Sequence, residues 1–298
     1  MITLPASQDA VALVDWLEVS LLAQNTSRIS DTAIIDVFSE ADLDEDPDAL
    51  LASMHQTVRM RENIVGATYP VERQGLGYSR RGDWKDYLPY SFMLFTSLNQ
   101  SYTELNYGGG TANKPAELFE VLASKAVERY LQCSVIRIGA PRRKPVPPSF
   151  PEALTYTVEE LGEIVGQRDL ERHNSGDDGV DLIGWRPFGD ARASQAIILA
   201  QCAIGTDWRD KRDDISLRMW QRHIDWHSTP LKGIAVPFHH QEGNSWRETA
   251  TRAGIIFDRL RIAKLVDTAA LPAPTKKEMM HWCEKRLKKV AKLAIEQR

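Results

Sequence analysis

The sequence predicts a mixed α/β protein, in which a mixed central sheet is flanked by helices and follows a helical N-terminal region. Two apolar runs, residues 180–185 and 196–204, have the length and composition of neighbouring strands. Gly189 and Asp190 lie between these runs and are typical of a hairpin connection. Segments with helical spacing of apolar residues precede and follow the pair, so we expect helices on both faces of the sheet.

Composition limits the class of protein. The chain has 298 residues, of which 43% are hydrophobic, enough for one large domain or two modest ones. Its net charge of −4 excludes a globally basic nucleic-acid binder but allows a local basic face. The three cysteines, Cys133, Cys202 and Cys283, include no C-x-x-C pair, so we expect reduced thiols in a cytoplasmic protein. No apolar run reaches about 18 residues and no signal-peptide pattern begins the chain, so we expect no membrane partner.

The N-terminal region, residues 1–110, is predicted to be helical. Apolar residues recur at helical spacing in residues 8–24 and 49–64, and the aromatic-rich stretch 84–100 is typical of a buried helix. Three consecutive glycines, residues 108–110, mark the end of this region. They lack the lysine spacing of a P-loop, so a linker or turn is favoured over phosphate binding.

Residues 111–270 form the predicted α/β domain. Its segments, in chain order within each class, are the helices 116–131, 150–165, 208–225 and 245–265, and the strands 134–139, 180–185, 196–204 and 233–238. Strands joined by a short hairpin are antiparallel, whereas the strand after helix 208–225 is expected to return parallel. Gly254 interrupts the last helix, which can therefore be two pieces.

Residues 271–298 are predicted to form a basic amphipathic helix, beginning at Lys276. Its apolar side includes Met280, Leu287 and Val290. A single chain must cover such a side, so we expect the helix either to dock on the protein's own core or to form a dimer.

Asp181 and Gln201 are the strongest candidates for chemistry. Asp181 opens the first strand of the hairpin, although strands disfavour aspartate, and Gln201 lies inside the second strand. Hard oxygen ligands of this kind suit Mg²⁺, which supports phosphodiester hydrolysis by activating water and neutralising phosphate charge. The alternatives are a turn role for Asp181 and a hydrogen bond across the sheet for Gln201.

Residues 179–181 (GVD) and 201–203 (QCA) resemble the motifs of the PD-(D/E)XK, or restriction-endonuclease-like, superfamily. The resemblance covers roughly residues 115–263 and is greatest to the Mrr-type branch, whose motifs are G-[IV]-D and Q-x-K. It implies an α-β-β-β-α-β core and hydrolysis of DNA with Mg²⁺, or with Mn²⁺ in its place. It also implies a glutamate of the first core helix near the metal, for which Glu120 is the match and Glu117 a substitute. The alternative is that Glu120 is an ordinary surface residue near the start of the helix, where its negative charge interacts favourably with the helix dipole.

Ala203 stands where the superfamily has its lysine. We predict that Lys211, near the start of the following helix, supplies the missing positive charge to the scissile phosphate. The alternative is an ordinary surface ion pair, and Arg209 and Arg212 are competing cations.

Arg142, Arg143 and Lys144 form a basic, proline-rich loop. Such clusters bind phosphates without reading the base sequence, so we predict that this loop contacts DNA. A solvated loop explains the same composition. The predicted catalytic residues are Asp181, Gln201, Lys211 and Glu120, of which Asp181, Gln201 and Glu120 would hold the metal ion, and this loop is the predicted nucleic-acid contact.

His223 and His227 are four residues apart, a spacing that can hold zinc, but no third ligand is obvious. The resemblance to the superfamily implies a metal-dependent endodeoxyribonuclease. A role in prokaryotic anti-phage defence is expected only from the kinds of systems in which such nucleases are found. The expected partners are DNA and either a second copy or another defence protein. The alternative is a non-catalytic DNA-binding or complex-forming subunit with a degenerate nuclease fold, which the alanine at position 203 favours.

Overall fold

The computed structural model describes residues 1–23, 26–41, 43, 45–105, 113–166, 178–190 and 192–295. Contacts divide the chain into two compact units: unit 1 is residues 1–115 with 259–298, and unit 2 is residues 116–258. The predicted α/β domain, 111–270, extends beyond unit 2 at both ends. The predicted glycine boundary at 108–110 and the charged loop at 168–176 lie outside the described residues.

The described residues form helices and strands along the whole chain. The helices are α1 Ala10–Ala23, α2 Asp31–Glu40, α3 Pro47–Val65, α4 Leu88–Ser97, α5 Asn113–Leu131, α6 Phe150–Leu161, α7 Leu217–His223, α8 Asn244–Ala253, α9 Arg259–Leu265 and α10 Ala273–Ile295. The strands are β1 Arg28–Ser30, β2 Val71–Arg73, β3 Gly77–Arg80, β4 Ser134–Arg137, β5 Ile164–Val165, β6 Leu182–Arg186, β7 Ala196–Cys202, β8 Ile224–Asp225, β9 Leu231–Ala235 and β10 Ile255–Phe257. In this part of the chain, no helix is both long and apolar enough to cross a membrane.

Unit 1 is built around α1, whose residues 12–22 are all buried. A helix that is buried on every side needs neighbours all round, and α3, α4 and α10 contact it. The strands β1, β3 and β2 form a small antiparallel sheet in that order. The sequence analysis predicted none of these strands, because strands of three or four residues are too short to show an alternating pattern.

A buried ionic cluster lies inside unit 1. Arg61 donates to Asp15 at 2.7 Å and to Glu18 at 2.9 Å, and Arg259 donates to both carboxylate oxygens of Asp15 at 2.7 Å. The hydroxyl group of Tyr69 also donates to Glu18, at 2.6 Å. Buried charges are tolerated only when they are paired and hydrogen-bonded in this way.

The C-terminal helix α10 packs on α4 within unit 1. Its buried residues are Met279, Cys283, Arg286 and Val290, which follow one side of the helix. Of the predicted apolar side, Val290 is buried as expected, whereas Met280 and Leu287 are half-buried and the neighbouring Met279 is buried instead of Met280. Sequence patterns could not reveal this register because Arg286, a charged residue, is among the buried ones; its Nε donates to the Phe95 carbonyl at 3.1 Å.

Unit 2 has a mixed central sheet with the strand order β10-β9-β7-β6-β4 among the described residues. The pairs β4–β6 and β6–β7 are antiparallel, and the pairs β7–β9 and β9–β10 are parallel. The predicted hairpin and the predicted parallel return of the strand near residues 233–238, which is β9, are both confirmed. The mixed α/β class is confirmed with them.

Helices cover both faces of this sheet. On one face, Ile183 of β6 and Leu199 of β7 pack with the apolar side of α6 and with Trp220 of α7. On the other face, a Cβ atom at Gly184 would lie 3.0 Å from Ile198 and 3.2 Å from Val127 of α5, so the helix approaches the sheet closely there.

The predicted helix 208–225 is wrong in part. A short 3-10 turn, Asp210–Asp213, comes first, and α7 begins only after Ser216, whose hydroxyl group accepts from the Met219 N–H at 3.4 Å. Ser216 caps a new helix at this point, so the segment is two elements rather than one.

Candidate active site

The turn that leads into β6 has two consecutive residues in the left-handed region, Asp178 with φ of 45° and Gly179 with φ of 77°. A Cβ atom at Gly179 would lie 2.8 Å from the Asp214 Cβ and 3.0 Å from its backbone. Only glycine combines this backbone conformation with so close an approach. The role of the Asp178-Gly179 pair is therefore to form this turn.

Helix α7 holds this turn in place. The His223 imidazole contacts the Asp178 carboxylate at 2.6 Å, and the Trp220 indole donates to the Asp178 carbonyl at 3.2 Å. His223 was one half of the possible zinc pair. It instead positions the segment that delivers Asp181, whereas His227 contacts a different carboxylate, Glu163, at 2.7 Å.

Asp181 lies where β4, β6 and β7 meet. Its carbonyl accepts from the Ile138 and Gly139 N–H groups at 2.9 and 3.2 Å, and its Oδ2 accepts from the Cys202 N–H at 2.7 Å. A Cβ atom at Gly139 would lie 2.6 Å from the Asp181 Oδ1. The carboxylate is thus fixed by backbone groups on neighbouring strands, beside a glycine that leaves room for it.

Gln201 presents a buried oxygen at the end of β7. The residue is only 6% exposed, and its Nε2 donates to the Asp214 carboxylate at 2.9 Å. This donor bond fixes the amide orientation, because the flipped amide would set two oxygens against each other. Among the residues that the structure describes, the Gln201 Oε1 has no hydrogen-bond partner. A buried acceptor left in this state is costly unless a donor or cation meets it.

Glu120 projects from α5 and is also buried. Its Oε2 accepts from the Arg137 Nε at 3.2 Å and from the Arg137 Nη2 at 2.5 Å. The sequence did not identify Arg137 as part of the site. The alternation of side chains between the two faces of β4 was the available signal for Arg137. Without the position of α5, however, one arginine at the end of a strand cannot be distinguished from a surface residue.

The thiol group of Cys202 shows which charges meet here. Its pKa is raised well above the usual value, first by burial and then by the Asp181 and Glu120 carboxylates. The positive charges of Arg137 and Lys211 lower it in part. Charges from four separate elements therefore act on one sulfur atom. Three of the predicted catalytic residues belong to this group, and the fourth, Gln201, adjoins Cys202 in β7.

Lys211 lies on the 3-10 turn rather than on an α-helix as predicted, and it is half-buried. The competing cations are occupied elsewhere. Arg212 pairs with Glu248 at 3.2 Å, and the Arg209 guanidinium lies 4.8 Å from the Trp208 ring centroid. Within the described part of the chain, Lys211 forms no ion pair.

The basic loop lies between β4 and α6. The Arg142 guanidinium lies 5.3 Å from the Phe150 ring centroid, and Arg143 pairs with Glu117. Lys144 is exposed. Both arginines thus have contacts within unit 2, and the DNA contact of this loop stays a prediction.

Over the described ranges, no group of three or more histidine, cysteine, aspartate or glutamate residues is arranged to hold a metal ion. Glutamine is not among those four residue types, so this finding does not cover the combination of Asp181, Gln201 and Glu120 as a candidate metal site. Its donors are hard oxygens, which is the chemistry of Mg²⁺ sites.

Comparisons with known proteins found no match. The sequence matches no family model, and no curated protein or solved structure is significantly similar to it.

Proposed function

We propose that unit 2 is a Mg²⁺-dependent nuclease domain with a restriction-endonuclease-like core, which hydrolyses phosphodiester bonds in DNA. The observation that carries the proposal is the buried, unpartnered Oε1 of Gln201 on the strand that also binds Asp181 through the Cys202 N–H. Supporting it are the strand order of the mixed sheet and the charges gathered around Cys202.

In this proposal Asp181 and Gln201 hold the metal ion, with Glu120 as a further oxygen ligand. When bound, the ion supplies Lewis-acid activation for phosphodiester hydrolysis. Lys211 stabilises the negative charge that develops on the phosphate, and Arg137 holds Glu120 in position. Asp214 fixes the Gln201 amide so that its oxygen, not its nitrogen, is offered to the ion.

The role in prokaryotic anti-phage defence, the cytoplasmic location and the partner protein are part of the same proposal. The defence role and the partner protein rest on the resemblance to the superfamily alone, and the cytoplasmic location rests on the sparse, unpaired cysteines.

A second candidate function has specific support. Ala203 is fully buried at the position of the superfamily's lysine, and the Glu120 carboxylate is already paired with Arg137. Both features suit a non-catalytic subunit that keeps the fold and binds DNA or another protein.

Cleavage of supercoiled plasmid DNA with and without Mg²⁺ separates the two candidates. Asp181→Asn is the informative variant, because asparagine keeps an oxygen for the Cys202 N–H, whereas alanine would leave that donor unsatisfied. We expect Mg²⁺-dependent cleavage by the wild type and a loss of roughly 10²-fold or more in the variant. Asp225→Asn, at an exposed position of β8, is the matched control and should cleave normally. DNA binding without cleavage by the wild type would favour the second candidate.

A further inference from the structure

A cavity with acidic and aromatic lining residues lies at the other end of the β6–β7 hairpin from Asp181 and Gln201. The strand register pairs Arg186 with Ala196 at this end and Leu182 with Ala200 at the first. The cavity has a volume of about 110 Å³ and belongs wholly to unit 2. Its lining includes Glu159, Glu160, Trp185, Phe188 and Gln195.

Gln195 gives this cavity a buried acceptor. The residue is 6% exposed, and its Nε2 donates to the Leu161 carbonyl at 2.9 Å and to the Arg192 carbonyl at 3.0 Å. These two bonds fix the amide, because a flipped oxygen would face two carbonyl oxygens. Over the described ranges, the Gln195 Oε1 has no hydrogen-bond partner. Gln195 lines the cavity, so a ligand bound there would lie beside a desolvated acceptor that still needs a donor.

The rest of the lining is acidic and aromatic. Glu159 and Glu160 are exposed carboxylates at the end of α6, and neither forms an ion pair within the residues that the structure describes. The indole ring of Trp185 and the phenyl ring of Phe188 supply faces that attract a cation. Negative charge, an orphaned acceptor and aromatic faces together favour a flat cation that donates several hydrogen bonds.

We propose that this cavity binds the guanidinium group of an arginine side chain from a partner protein. Guanidinium is planar, carries five N–H donors and stacks on aromatic rings, whereas an ammonium group is a compact point charge. A cavity of about 110 Å³ admits one side chain but not a drug-sized ligand, which needs roughly 300 Å³ or more. Phe188 is 79% exposed beside the cavity, and an exposed aromatic residue of this kind suits contact with a protein surface.

Calorimetric titration of the full-length protein at low ionic strength tests the guanidinium site. The probes are N-acetyl-arginine amide and its uncharged analogue N-acetyl-citrulline amide. We expect the arginine probe to bind roughly fivefold tighter or more, as two exposed carboxylates would produce. The double variant Glu159→Gln with Glu160→Gln should remove this difference, while Glu242→Gln, exposed elsewhere in unit 2, should preserve it. Equal affinity for the two probes, or no binding of either, would overturn the proposal.

A second titration tests the protein partner. The probe is the tripeptide N-acetyl-Leu-Arg-Leu amide, whose apolar side chains can cover Phe188. We expect it to bind roughly fivefold tighter than the single arginine, and Phe188→Ser should remove that gain. Equal binding of the two would show a site for small free cations and contradict a protein partner. Neither titration involves a metal or DNA, so failure of the proposed nuclease activity leaves both results interpretable.

Discussion

Asp181 is held by a backbone N–H group and Gln201 by the carboxylate of another residue. The Cys202 N–H holds the Asp181 carboxylate, and Asp214 holds the Gln201 amide. Both residues could be selected from the sequence because each is a polar residue in an apolar strand. Asp214 and Arg137 could not, since their roles depend on a turn and a helix whose placement no local pattern reveals.

Substitution of Lys211 tests the source of the catalytic cation. We expect Lys211→Met to lower the cleavage rate on the order of 10²-fold at saturating Mg²⁺, with DNA binding nearly kept. Arg212→Met is the control, because Arg212 already pairs with Glu248. Wild-type cleavage rates in both variants would show that Lys211 is an ordinary surface residue without a catalytic role.

Asp15 gives unit 1 a pH-dependent stability. Burial would raise the pKa of Asp15, but the charges of Arg259 and Arg61 outweigh it and lower the pKa to about 2. An unfolded aspartate has a pKa of about 3.9, so the stabilisation is present above that pH and is lost as the pH falls toward 2. A shift of this size corresponds to about 2.6 kcal/mol at most.

Urea unfolding at several pH values between 5 and 2 measures this effect. We expect the wild-type free energy of unfolding to fall across the window and the slope to be smaller in Asp15→Asn. The exposed Asp48→Asn, in the first turn of α3, is the control and should keep the wild-type slope. The same slope in all three proteins would show that the buried ionic cluster does not respond to acid.

Elements with a strong local pattern were predictable, and those set by tertiary contacts were not. The hairpin strands and the parallel strand β9 follow from apolar runs and turn residues. The predicted helix 245–265 is two pieces, α8 and α9, as the glycine at 254 indicated, but the strand β10 between them was not predicted. Gly254 explains the break: its φ is 83°, and a Cβ atom there would lie 2.3 Å from the Lys232 carbonyl oxygen. The strand forms because β9 is available beside it, which a helical pattern in the sequence cannot show.

The register of α10 gives a prediction at this scale. Met279 is fully buried, whereas Met280, which the sequence placed on the apolar side, is half-buried. We expect Met279→Ala to lower the free energy of unfolding by about 2–5 kcal/mol. Met280→Ala, the same substitution one residue further on, should cost roughly 1 kcal/mol or less. Chemical unfolding of both variants measures the difference, and a larger loss for Met280→Ala would shift the register.

At the scale of the whole molecule, the two units carry different features. Unit 1 contains the buried ionic cluster and the docked α10, and unit 2 contains the candidate active site and the acidic cavity. The functional proposal therefore depends on unit 2, and within it on the oxygen atoms offered by Asp181 and Gln201. Metal binding is the property that these atoms would confer directly, and it can be measured without DNA or a partner protein.

Calorimetric titration of the protein with Mg²⁺, repeated with Mn²⁺, tests this claim most directly. The wild type should bind the ion, and Asp181→Asn and Gln201→Leu should each weaken binding by about tenfold or more, since each removes a hard oxygen ligand or its charge. Asp225→Asn should bind as the wild type does. A wild type without measurable affinity for either ion, or variants that bind as tightly as the wild type, would contradict the metal site and with it the proposed nuclease.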